Sequence, residues 1–126
     1  MLRRFAAAST VAAIALAVAA IVVILVPGMK LERFAPLLAI WCCAPCAWGI
    51  WAMLAPSSWV PGRLPVWGAI LGVIAGCLAG FVLDLPSRVF GESVSVAVRA
   101  SGVIVLVVFY SLLWAIVRAA YRKIAA

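Results

Sequence analysis

The stretch "LPVWGAILGVIAGCLAGFVL", residues 64–83, is an uncharged apolar run that carries a glycine at every fourth position. A helix needs about 20 apolar residues to cross about 30 Å of hydrocarbon. Gly68, Gly72, Gly76 and Gly80 lie near one helix face, because a step of four residues turns the helix by about 400°. Small residues let helices approach closely in lipid, where hydrophobic collapse cannot drive them together. The stretch therefore predicts a transmembrane helix with a packing face.

The rest of the chain has the same character. Of the 126 residues, 70% are hydrophobic and 10% are charged, whereas about 25% are charged in soluble domains. Uncharged runs of helix length, without the alternation of barrel strands, occur at about 5–26, 35–55, 64–83 and 97–117. The fold class predicted is an all-α integral membrane protein. Residues 1–126 form a single domain of four transmembrane helices in an up-down bundle.

The ends of the runs carry helix signals. The first run follows Arg3 and Arg4 and exceeds the h-region of a signal peptide, which is about 7–15 residues, so we expect it to remain uncleaved. The pair Pro27-Gly28 is expected to stop it. Ser93 or Ser95 is expected to cap the fourth helix.

Basic residues and tryptophans suggest an orientation. Six basic residues fall on the side of the termini and four on the other, a bias that places both termini in the cytoplasm. The terminal side carries Arg3, Arg4, Arg63, Arg118, Arg122 and Lys123. A cluster at the cytoplasmic interface is expected for Trp51, Trp59, Trp67 and Trp114. The compact, alanine-rich chain favours the bacterial cytoplasmic (inner) membrane.

The glycine face of the third helix has two candidate partners. One is the first helix of the same chain, which offers a face of small residues. That face consists of Ala8, Ala12, Ala15 and Ala19. The other is a second copy or a different membrane subunit, and the two can coexist if the face is shared.

The stretch "WCCAPCAWGIW", residues 41–51, places three cysteines around Pro45, which predicts a helix kink. In a hairpin of the second and third helices, Cys77 lies at the depth of Cys42. Three alternatives are open for Cys42, Cys43, Cys46 and Cys77: packing residues, a soft-metal site, or a redox pair. Packing is favoured, because a buried thiol without a nearby positive charge is unreactive. We expect no cofactor and keep the four cysteines as metal candidates.

Charges and catalytic residue types are scarce. The chain has no histidine and no assembled catalytic set, so an enzyme is not expected. Its spans have no charge at their centres, where ionisable residues usually mark an ion or proton pathway. Asp84 and Arg99 either pair or are solvated separately at the ends of the third and fourth helices. The scattered basic residues do not form a nucleic-acid surface.

The sequence favours a small non-enzymatic accessory or structural subunit of a membrane assembly. Its expected partners are the lipid bilayer and other membrane subunits, or further copies of itself. The alternative is a small homo-oligomeric transporter or channel, with soft metals handled by the membrane cysteines.

Overall fold

A computed structural model describes residues 1–26 and 31–125, without the side chains of Leu31, Arg33, Phe34, Pro36, Leu37 and Val89. Throughout those residues the regular structure is helical, which confirms the all-α part of the predicted class. The helices are α1 (Leu2–Leu25), α2 (Leu31–Trp41), α3 (Ala44–Leu54), α4 (Leu64–Cys77), α5 (Leu85–Phe90) and α6 (Val96–Ala125). A 3-10 turn at Ser57–Trp59 precedes α4, and a π-helical turn at Leu78–Val82 continues it. The stop predicted at Pro27-Gly28 lies outside the described residues.

Three helical segments of the described chain are long and apolar enough to cross a membrane: Leu2–Leu25, Leu64–Val82 and Val96–Ala125. This is expected of a multi-pass membrane protein. The run 35–55, predicted as one continuous span, is divided between α2 and α3, which have 11 residues each. Each of these helices rises about 16 Å, half of the hydrocarbon thickness. The last helix continues past residue 117, so its basic residues are helical.

The interruption between α2 and α3 falls at Cys42 and Cys43. The Cys43 amide donates to the Ile40 carbonyl at 3.1 Å, three residues back instead of four, and so tightens the chain into a turn. Pro45 stands in the first turn of α3, where its missing N–H has no helical partner to lose. The carbonyl of Trp41, four residues before Pro45, is deprived of its usual donor.

The helices pack as antiparallel neighbours. The most extensive pair is α4 with α6, followed by α1 with α3 and then α1 with α6. Arg4 donates to the Ala55 carbonyl at 3.0 Å, and Arg118 donates to the Gly62 carbonyl at 3.3 Å. The start of α1 and the last turns of α6 therefore lie beside the segment 55–62. We call this the terminal end of the bundle.

The hydrophobic core lies where α1, α3, α4 and α6 meet. Among the described residues every buried side chain is hydrophobic. The largest that are fully buried are Trp114, Leu64 and Val117. The core cluster consists of Ala7, Ala8, Val11, Ala12, Trp48, Ala52, Ala55, Leu64, Trp114 and Val117.

Candidate functional site

The glycines of α4 face α6, and the contact is tightest at Gly68. A Cβ added there would overlap the Trp114 side chain, which is 0% exposed. At Gly72 an added Cβ would lie 3.1 Å from both the Tyr110 Cβ and the Val107 Cα, so the two helix backbones approach closely. The absence of a side chain is therefore required at Gly68 and useful at Gly72.

The contact loosens toward the other end of the helix pair. A Cβ on Gly76 would lie 3.1 Å from Cγ1 of Val103, and one on Gly80 would lie 3.8 Å from Cγ2 of the same residue. We call this graded contact, from Gly68 against Trp114 to Gly80 against Val103, the α4–α6 seam.

The expectation that the glycines pack on the alanine face of α1 is wrong. Their nearest neighbours are on α6, while α1 packs most extensively on α3. The physical reason is shape. A row of glycines accepts any helix that fits it, and α6 brings the large ring of Trp114 against Gly68.

Trp114 also corrects the predicted belt of tryptophans. It lies in the core, 5.5 Å from Trp48 between ring centroids, and Tyr110 meets Trp48 edge-on at 5.1 Å. Its Nε1 atom is buried and has no hydrogen-bond partner in the described structure. A tryptophan without such a partner is favoured there by its packing volume alone.

The other three predicted belt residues do cluster. Trp51 and Trp67 stack at 4.6 Å, and each indole N–H donates to the other residue's backbone carbonyl, at 3.0 and 2.7 Å. Trp59 meets Trp67 edge-on at 5.9 Å, and the Arg63 guanidinium lies 5.7 Å from the Trp59 ring. The cluster joins α3 to α4 near the terminal end, within one residue of the predicted hairpin register.

Arg99 joins four segments at the opposite end. Its Nε donates to the Val94 carbonyl at 3.2 Å, Nη1 to the Gly80 carbonyl at 2.8 Å, and Nη2 to the Ser87 hydroxyl at 3.2 Å. Nη1 also forms an ion pair with Asp84. Of the two alternatives for these charges, the structure shows the pair. Arg99 thus satisfies a carbonyl in the π-helical turn that follows α4 and ties it to the first turn of α6.

The Asp84 carboxylate is held in its ionised form. The backbone φ of Asp84 is 53°, a left-handed conformation that aspartate tolerates at a helix end. The hydrogen bond with Ser87 and then the Arg99 guanidinium lower the pKa of Asp84 from its ordinary value of 3.8. The Asp84 side chain is 46% exposed, so solvent screens this interaction. Nearby, the Ser95 hydroxyl accepts the Val98 N–H at 3.3 Å, which confirms its predicted capping role.

The four cysteines are free thiols and all are exposed, so the expectation that they are buried packing residues is wrong. Cys42 and Cys43 form the interruption between α2 and α3, Cys46 lies in α3, and Cys77 ends α4. In the part of the chain that the structure describes, no three cysteine, histidine or acidic residues are arranged to hold a metal ion. The structure therefore does not bring the candidate metal ligands together within one chain.

A groove that the sequence did not indicate runs between α1 and α6. It comprises two adjoining cavities of about 120 and 400 Å³. Both are lined by Ala15, Ala19, Phe109 and Leu113. We call it the lateral groove. It exists because α1 is held by α3 and α6 by α4, while the facing surfaces of α1 and α6 only partly meet.

No protein-family model, curated protein or solved structure matches the chain. Function is therefore inferred from the packing, charges and cavities described above. The described chain has a hydrophobic core, an ion pair at one end, a cluster of basic side chains at the other, and an apolar groove between them.

Proposed function

We propose that this chain is a non-enzymatic multi-pass membrane protein that acts through helix packing, as an accessory or structural subunit of a membrane assembly. The observation that carries the proposal is the composition of the core, in which every described buried side chain is hydrophobic. Ion and proton pathways are marked by ionisable residues within the membrane. A closed α4–α6 seam and an apolar core favour a scaffold instead.

The proposed topology has four crossings in an up-down bundle. Together α2 and α3 rise about 33 Å, enough for one interrupted crossing. Contacts support this direction, since α3 ends beside Arg4 at the terminal end while α2 lies near α5 at the other. The basic residues of the terminal end favour a cytoplasmic location for both termini, in the bacterial cytoplasmic membrane.

A partner subunit would bind a surface other than the glycine face, because α6 of the same chain already occupies that face. The outer surfaces of α1 and α6 are available. Ile24 on α1 is 67% exposed, and Leu112 on α6 is 63% exposed. These positions are matched in exposure and lie on different helices.

The test is purification of the tagged chain at native expression level in mild detergent, followed by native mass spectrometry. We expect one companion protein at fixed stoichiometry. Ile24→Trp and Leu112→Trp enlarge matched exposed positions outside the lateral groove, and loss of the companion from only one variant maps the partner face. A clean monomer without a companion would overturn the subunit proposal.

One observation favours a second candidate, a small homo-oligomeric transporter or channel for a soft metal. Transporters often place broken helices at their binding sites, and the break between α2 and α3 carries exposed Cys42 and Cys43. Thiolates suit Cu(I) and Hg(II). The test compares metal uptake by cells with the wild type, a variant carrying Cys42→Ser, Cys43→Ser and Cys46→Ser, and no protein. Uptake that is equal in all three excludes this function.

A further inference from the structure

The lateral groove has the shape of a site for a thin apolar chain. Its α1 wall runs from Val11 to Ala19, a rise of about 12 Å. The α6 wall consists of Phe109, Leu113 and Ile116. The larger cavity has a volume of about 400 Å³ and is lined wholly by apolar side chains. Its length and lining match a single hydrocarbon chain that lies along the two helices.

Two basic side chains stand at the terminal end of this groove. Arg3 lies eleven residues before the groove residue Ile14, which places it within about 20° of the same face of α1. Lys123 lies seven residues after Ile116, within about 20° of the same face of α6. Both side chains are exposed. Each stands about 11 Å beyond the groove wall on its own helix.

The described part of this end carries basic side chains and no acidic ones. Arg4 and Arg118 donate to backbone carbonyls, whereas the described side-chain hydrogen bonds and ion pairs leave Arg3 and Lys123 without a protein partner. The three acidic residues of the chain lie toward the opposite ends of α1 and α6. They are Glu32, Asp84 and Glu92. The terminal end therefore complements an anion.

We propose that the lateral groove binds one acyl chain of an anionic phospholipid, whose phosphate is held between Arg3 and Lys123. The hydrocarbon of one leaflet extends about 15 Å and its headgroup region adds about 5 Å. A chain whose phosphate lies level with Arg3 therefore passes Val11 and reaches about the level of Ala15, which is about 18 Å from Arg3 along α1. Basic sites between transmembrane helices attract anionic headgroups, and each cation near the surface strengthens binding severalfold. The groove provides a fixed contact for the chain, and the two cations select the headgroup.

The test uses the full-length protein in phosphatidylcholine vesicles that contain phosphatidylglycerol with the same acyl chains. After extraction in mild detergent, native mass spectrometry counts the lipids retained by each molecule. We expect phosphatidylglycerol to be retained about tenfold over phosphatidylcholine, after correction for their ratio in the vesicles. Equal retention of the two lipids would overturn the proposal.

Two pairs of variants separate the headgroup from the groove. Arg3→Gln with Lys123→Gln is expected to abolish the preference, whereas Arg88→Gln with Arg122→Gln removes the same charge from other exposed positions and should retain it. Ala15→Leu fills the groove and is expected to reduce retention at least fivefold, while Ala100→Leu adds equal bulk on an exposed surface and should not. Equal behaviour within either pair contradicts the site. A dimer that Ala15→Leu dissociates would assign the groove to a second copy and overturn the lipid proposal.

Discussion

Helix α6 packs most extensively on α4 and α1, and it packs differently on each. Against α4 it meets glycines, and Trp114 occupies the space that a side chain at Gly68 would need. Against α1 it meets alanines such as Ala15, and the surfaces separate into the lateral groove. Both neighbours offer small residues, so small size alone does not decide close packing. The difference lies in whether the facing helix supplies a side chain of matching shape.

The largest effect on stability is expected for Trp114→Ala, which removes the ring that packs on Gly68. We expect a loss of about 3 kcal/mol in the free energy of unfolding, because a large cavity would remain in the core. Equilibrium unfolding in detergent measures it. Trp59→Ala, which removes a partly exposed ring, is the control and should cost less. Equal losses would mean that the seam does not depend on Trp114.

Gly68→Ala tests the same contact by changing the residue on α4 that faces Trp114. One added methyl overlaps the buried Trp114 ring, and such overpacking costs about 2 kcal/mol. The matched control is Gly102→Ala on α6, where an added Cβ has no neighbour within 4 Å. There we expect no loss and a gain of up to about 1 kcal/mol, because alanine favours helix. Similar losses at both positions would exclude a steric role for Gly68.

The seam is also predicted to be graded along its length. Gly72→Ala and Gly76→Ala each place a Cβ at 3.1 Å from α6 and should cost about 1 kcal/mol. Gly80→Ala, at 3.8 Å, should be neutral within error. Thermal unfolding of the three purified variants gives the order directly. Equal changes in Tm for all three variants would contradict the graded contact.

The ion pair at the end of the seam predicts a smaller, pH-dependent effect. Because the folded protein lowers the pKa of Asp84 from 3.8, its ionised form stabilises the fold above that value, and this stabilisation is lost as the pH falls through the lowered pKa. The difference in Tm between wild type and Asp84→Asn should therefore be largest near neutral pH and shrink below pH 3.8. A difference independent of pH would contradict this linkage.

The smallest change in the free energy of unfolding is expected for a substitution in the lateral groove. Ala15→Leu adds three carbon atoms, more than Gly68→Ala, yet it points into an open cavity. The free energy of unfolding should stay within about 0.5 kcal/mol of wild type. Chemical unfolding of the two variants side by side compares the interfaces. A loss as large as that of Gly68→Ala would show that the two sides of α6 are packed alike.

The features of the fold that could be predicted from the sequence are those that depend on a single segment of the chain. Periodicity along residues 64–83 is enough to place Gly68, Gly72 and Gly76 on one face. Which helix packs on that glycine face depends on tertiary packing. The glycine pattern suits the alanine face of α1 as well as it suits α6. Pro45 predicted a distortion, but the interruption lies at Cys42 and Cys43 because the turn tightens before the proline.

The interactions of single side chains were harder to predict from the sequence. Composition cannot separate a core tryptophan from an interfacial one, so Trp114 was assigned to the belt. The partners of Arg99 come from separate turns and links, and only the folded chain brings Gly80 and Ser87 to it. The lateral groove has no signature in any one helix, since it arises from how α1 and α6 are held by other neighbours.

The two arginines that hold α6 to the ends of α4 also fix a length. Arg99 binds the Gly80 carbonyl at one end and Arg118 binds the Gly62 carbonyl at the other. The nineteen residues from one arginine to the other rise about 28 Å, close to the hydrocarbon thickness of a bilayer. Neither helix can slide along the other without breaking one of these contacts. A bilayer of different thickness would therefore be accommodated by tilt of the two helices as one body or by deformation of the surrounding lipid, and not by a shift of one helix along the other.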